Sequence, residues 1–223
     1  YADFAMYEVK HSTKGEVREF DMEHYRAGVY AMEQRSDFEK LIRERRVDYH
    51  FQPIFSAHDG HVVAYEALMR PQLPALRSPL TVMQLASEMG RVYDIEKLTL
   101  FRACECYEEL EAAGKLDADA LIFVNSIASV SLSDEDWASY CEAHSAILPK
   151  LVVEITEEEE MNEQELERKR NVPGATGVFA LDDYGSGYSN GNSLLTVAPK
   201  YVKVDMAIIR GIDTDADKQQ FLM

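Results

Sequence analysis

A chain of 223 residues, 46% apolar and 10% aromatic, can bury a sizeable core in one large domain or two small ones. Its net charge of −17, from 23 basic and 40 acidic residues, argues against binding a nucleic-acid polymer or docking on anionic lipid. An anionic small molecule is still admissible where metals or a few placed arginines reverse the sign locally.

No stretch has the run of apolar residues that a membrane helix needs, and no signal peptide opens the chain. Cys104, Cys106 and Cys141 show neither zinc nor disulfide spacing and read as reduced thiols of a cytoplasmic protein. An anchor upstream of this segment stays possible, while the segment itself offers no membrane contact.

In chain order, Y-A-D-F-A-M-Y-E-V-K has helical spacing, K-G-E-V-R-E-F reads as turn and strand, and residues 22–46 form a polar, charge-rich helix. Because the opening starts in mid-element, the chain is expected to be part of something longer. From residue 49 the pattern becomes strand, Asp-Gly turn, strand: Y-H-F-Q-P-I-F-S, A-H-D-G-H, V-V-A-Y-E-A-L-M-R. Helices are then predicted at 81–89, 94–113, 134–146 (capped by Ser133) and 157–170, the E-E-E-E run forming an acidic first turn. Short apolar strands fall at 121–125, 151–155, 177–181 and 200–204. Strands alternating with helices predict an α/β fold with a parallel sheet, open or closed into a barrel.

The strands carry polar residues at equivalent points: Glu66 in the second, Asn125, Glu154, the pair Asp182-Asp183, then Lys203 and Asp205 in the sixth. After Asn125 they recur at about 20–30 residues, the length of one strand-helix unit. In a βα barrel the carboxyl ends of the strands face one mouth, where these acids would converge and repel unless cations lay between them. Oxygen-only donors suit Mg²⁺, Mn²⁺ or Ca²⁺, and adjacent aspartates suit a two-metal phosphoester site. Trp137 reads as a packing anchor, no histidine pair has metal spacing, and G-S-G (185–187) lacks the lysine of a P-loop. That loop instead places the paired acids, and a homodimer contact controlling them is an expectation.

Together Q-P-I (52–54), Y-E-A-L-M-R (65–70), V-N (124–125), E-I-T-E (154–157), D-D-Y-G-S-G-Y-S (182–189) and K-V-D (203–205) resemble the EAL-domain family. These are bacterial phosphodiesterases of cyclic di-GMP. The resemblance covers residues 47–223 and implies a modified TIM-like βα barrel with an antiparallel first strand. It implies Glu66, Asn125, Glu154 and Asp182 as ligands of one Mg²⁺ or Mn²⁺, with Asp182 and Asp183 contributing to a second. Lys203 would orient the attacking water beside the catalytic Glu66 and Asp182. Gln52, Leu68, Arg70 and Asp205 would contact cyclic di-GMP, and Glu157 would support the metal site.

Residues 1–21 resemble the end of a GGDEF-like domain, which makes residues 22–46 a connecting helix. Tyr184 and Ser186 stand where the family has Phe and Thr. Six strands are counted where a closed barrel has eight, and the family's later glutamate and glutamine have no counterpart here, so an incomplete barrel is expected. Two functions follow: hydrolysis of cyclic di-GMP to linear pGpG, or binding of it by an inactive EAL-like receptor. The complete set of acids favours hydrolysis.

Overall fold

The computed structural model describes residues 22–157, 161–186 and 192–221. Residues 1–21, and with them the GGDEF-like segment, lie outside the described residues, as do 187–191 of the glycine-rich loop.

Helix α1 (Met22–Glu44) leads into β1 (Val47–Phe55) and β2 (Val62–Pro71), joined by a tight hairpin. Gly60 takes a φ of 75° there, a conformation that glycine adopts at no steric cost, and its N–H donates to Ser56 O at 2.8 Å. Next come α2 (Pro79–Glu88), α3 (Val92–Ala112), β3 (Leu121–Asn125), α4 (Asp134–Ala143) and β4 (Leu151–Thr156). The chain continues through α5 (Glu163–Arg170), β5 (Val178–Tyr184), α6 (Asn192–Val197), β6 (Tyr201–Val204), α7 (Met206–Ile209) and α8 (Ala216–Phe221).

Among the described residues the strands form one sheet in sequential order, β1 antiparallel to β2 and every later pair parallel. The expected α/β architecture with an antiparallel first strand is present, as an open barrel wall with β1 and β6 at its edges.

Strand period sorts the side chains. Odd residues of β4 and β5 (Val153, Ile155, Phe179, Leu181) face the helices and join the main core with Leu41, Tyr107 and Tyr140. Each such large apolar group contributes roughly 1.5–3 kcal/mol on burial. The opposite face carries a second, smaller core of Ala64, Phe123, Val152 and Ala180, with Ile54 and Tyr201 packed against it. This apolar layer floors the barrel interior. Two residues further along β2 to β6, and two residues earlier in the antiparallel β1, the same face must carry Glu66, Asn125, Glu154, Asp182, Lys203 and Gln52.

Helix ends follow their caps. Ser78 accepts from Thr81 N ahead of Pro79, and Ser133 accepts from Asp136 N with three acids in the first turn. Of the helix predicted over 157–170, residues 158–160 lie outside the described residues, and the described helix runs from Glu163, where Asn162 Oδ1 accepts from Gln164 N at 3.1 Å. Glu157 is instead a buried residue of the turn after β4, its backbone N–H bound to Asp182 O at 3.1 Å. An inward contact therefore overrides the dipole argument. Helix α1 also packs: Phe38 and Leu41 are fully buried in the main core. Trp137 is a packing anchor as expected, donating through Nε1 to Ser131 Oγ at 3.0 Å. No helix among the described residues is long and apolar enough to cross a membrane.

Candidate functional site

Three carboxylates from three strands meet above the apolar floor. Oxygens of Glu66 (β2), Glu154 (β4) and Asp182 (β5) all lie within 4.8 Å of one another. The register brings them there: Asn125 stands opposite Glu154, Thr156 opposite Asp182, and Gln52 opposite Glu66 across the hairpin. From β6 the Lys203 ammonium enters their midst, 2.9 Å from Glu66 Oε1, 2.8 Å from Glu154 Oε1 and 2.9 Å from Asp182 Oδ2.

Lys203 Nζ donates to Asp182 Oδ2, and its ammonium lies at charge-assisted hydrogen-bond distance from Glu66 and Glu154 as well. Glu154 is fully buried, its Oε1 against the Lys203 ammonium and its Oε2 without a partner among the described residues. Burial pushes the Glu154 carboxyl up; Lys203 pulls it down, Glu66 and Asp182 push it up again, and the balance is about 7. Burial alone would lower the Lys203 ammonium, but the charges of Glu154, Glu66 and Asp182 outweigh it and raise it.

One ammonium against three carboxylates leaves a formal excess of two negative charges. An all-oxygen donor set with three acids to one base, one of its oxygens (Glu154 Oε2) buried without a partner among the described residues, fits a hard divalent cation. The residues present thus suit the metal that the family resemblance implies.

The paired acids diverge. Between Leu181 and Tyr184 the β5–β6 register slips: Leu181 pairs with Val202 and Tyr184 with Val204. The extra residue makes a bulge, at which Asp183 takes a φ of 54°, a left-handed conformation that Asp tolerates better than most residues. Asp182 faces the cluster, whereas Asp183 is exposed and does not join the three-carboxylate group. Its N–H donates to Asp182 Oδ1 at 3.0 Å.

Glu157 sits behind this bulge, its Oε2 accepting from Gly185 N at 3.0 Å. Asp205 caps α7 by accepting from Ala207 N at 2.6 Å. Leu68, Arg70 and Asn125 line one cleft of about 300 Å³ with Met83, Ile95 and Thr156. Arg70 is held there by His50 Nδ1, which accepts from its Nε at 3.3 Å, and by Met69 O at 2.9 Å. His50 escaped sequence reasoning, although the hairpin register sets it opposite Leu68, on the face of Gln52 and Arg70.

Residues 35–223 match the EAL domain family. Among curated proteins, "Cyclic di-GMP phosphodiesterase NbdA" of Pseudomonas aeruginosa is 29% identical over 191 residues, covering 81% of this chain and 24% of that protein. The chain spans about a quarter to a third of the length of the first curated relatives it matches. Of solved structures, the PaMucR phosphodiesterase in complex with c-di-GMP superposes with a TM-score of 0.67 at 24% identity, covering 85% of this chain and 78% of that one. The Klebsiella pneumoniae BlrP1 complex with manganese and cy-diGMP gives 0.64 at 21% identity, over 79% of this chain and 45% of that one. With a sheet of this topology and a family match over most of its length, the chain belongs to the EAL-domain family.

Proposed function

We propose that this chain is the catalytic EAL domain of a phosphodiesterase that opens cyclic di-GMP to linear pGpG in bacterial second-messenger signalling. The observation that carries the reading is the convergence of Glu66, Glu154 and Asp182 around the single ammonium of Lys203, three acids to one base. The names of the relatives support the substrate, and the manganese complex of a neighbour supports the cofactor class.

In this reading Glu66, Asn125, Glu154 and Asp182 hold one Mg²⁺ or Mn²⁺, and Asp182 with Asp183 contributes to a second. Bound there, such ions supply charge neutralisation at phosphorus and acidify a water. Lys203 Nζ donates to that water and fixes its line of attack. Arg70 presents a bidentate fork to a non-bridging phosphate oxygen pair, with His50 limiting its rotation. Gln52 reads a guanine edge, Leu68 packs on the nucleotide, and Asp205 takes a further substrate contact. Glu157 steadies the bulge through Gly185 N, so that Asp182 keeps its aim.

The same reading makes residues 1–21 the end of a GGDEF-like domain, 22–46 a connecting helix and 47–223 the EAL domain of a cytoplasmic, homodimeric assembly. The test is incubation of full-length protein with cyclic di-GMP and Mg²⁺ or Mn²⁺, followed by chromatography. Linear pGpG is expected. Tight binding without product in both metals would overturn hydrolysis in favour of a receptor.

A further inference from the structure

A buried charge cluster adjoins the site, and its residues Glu96, Ser126 and Ile127 line the same cleft as Arg70 and Asn125. Glu96 of α3 and Lys169 of α5 are 1% and 3% exposed and pair at 2.6 Å. Between them sits Ser126, whose Oγ donates to Glu96 Oε1 at 2.6 Å and accepts from Lys169 Nζ. Lys169 also donates to Ile127 O at 2.8 Å, and Glu96 Oε2 accepts from Ile127 N at 2.9 Å.

All three ammonium protons and both carboxylate oxygens are therefore used, and the cluster is neutral. Stability alone does not call for it, because well-packed apolar residues of similar volume often replace a buried ion pair without loss. What the ionic version adds is direction. Its bonds converge on Ser126 and Ile127, the two residues that follow Asn125. Ser126 N in turn donates to the carbonyl of Glu154 at 2.9 Å. Two residues of the site are thus tied through one backbone step to a fixed polar knot.

We infer that Glu96 and Lys169 are positioning residues that lock the exit of β3, and so set Asn125 and Glu154 for cation binding. The inference rests on the metal-dependent reading above. Unlike the caps of α2, α4 and α5, which fasten each helix to itself, this knot joins two helices to a strand end that carries a site residue.

The test replaces the pair by apolar side chains of similar length, Glu96→Met with Lys169→Met, in full-length protein. Mn²⁺ binding is measured by calorimetry and thermal melting is followed in the same samples. A folded double variant that melts near the native temperature and binds Mn²⁺ on the order of tenfold more weakly supports the inference, as for partners that orient metal ligands elsewhere. Native Mn²⁺ affinity in that folded variant would overturn it. Should the double variant not fold, Ser126→Ala decides, since it removes one hydroxyl and leaves the ion pair. Weakened Mn²⁺ binding with a native-like melt supports the role, and unchanged binding overturns it. Native protein that binds no Mn²⁺ would remove the functional reading and this inference together, whereas native binding with unaltered variants removes the inference alone.

Discussion

Two charge clusters stand a few residues apart in this fold, one buried and one half-buried, and they are built on opposite plans. Around Lys169 one acid meets one base, and each oxygen and each ammonium proton has a partner. Around Lys203 three acids meet one base, and Glu154 Oε2 is buried with no partner among the described residues. Folding can complete a cluster of the first kind by itself. A cluster of the second kind remains costly until something positive joins it. In the proposed reading the difference separates a part that holds shape from a part that receives a ligand, although both look alike as acidic and basic letters in a sequence.

Asp182→Asn should break the open cluster most completely, since this carboxylate accepts a bond from Lys203 and faces both neighbouring acids. A fall in turnover on the order of 10³-fold is expected, read as pGpG formed per minute at saturating cyclic di-GMP. Wild-type turnover in this variant would refute the assignment.

The closed cluster predicts an opposite pattern, visible in stability. Lys169→Met leaves Glu96 buried without its countercharge and should cost about 3–5 kcal/mol in urea unfolding, while the paired Glu96→Met and Lys169→Met change stays near neutral. Equal losses in the single and paired variants would erase the distinction between the two plans.

A subtler contrast comes from Glu154→Gln. Removing one of the three crowded acids should stabilise the protein in EDTA by about 1–2 kcal/mol while abolishing turnover, the exchange expected where a site is kept strained for function. A destabilised variant in EDTA would show that Glu154 is a structural acid instead. Smallest of all, Ser133→Ala removes the cap of α4, a side chain that accepts from Asp136 N and bonds to neither cluster. It should cost about 1 kcal/mol and leave Mn²⁺ affinity untouched, which calibrates the other variants.

Much of this was legible in the sequence, because strand period is simple. Once the apolar runs at 121–125 and 151–155 are read as parallel strands, the position of Asn125 beside Glu154 follows from the pleat. The Asp-Gly turn predicts the antiparallel hairpin, and the Ser133 cap appears where the helix signal places it.

Other features were hidden for physical reasons. The bulge that separates Asp182 from Asp183 depends on how β5 meets β6, and no local pattern marks a slip of one residue. The acidic run at 157–160 resembles a helix start, yet Glu157 turns inward to Gly185, a contact that spans 28 positions. Glu96 and Lys169 lie 73 residues apart on separate helices, where each reads as one more charge on a solvated face. His50 could have been found, since counting outward from the turn sets it on the same side as Arg70.

The central claim is that the Lys203 cluster carries an excess of negative charge in order to bind a divalent cation. Calorimetric titration of full-length protein with Mn²⁺, native against Asp182→Asn, tests it most directly. The account predicts saturable binding in the native protein and its loss, or a weakening of at least about tenfold, in the variant. Equal Mn²⁺ binding by the two proteins, or none by the native protein, would contradict it.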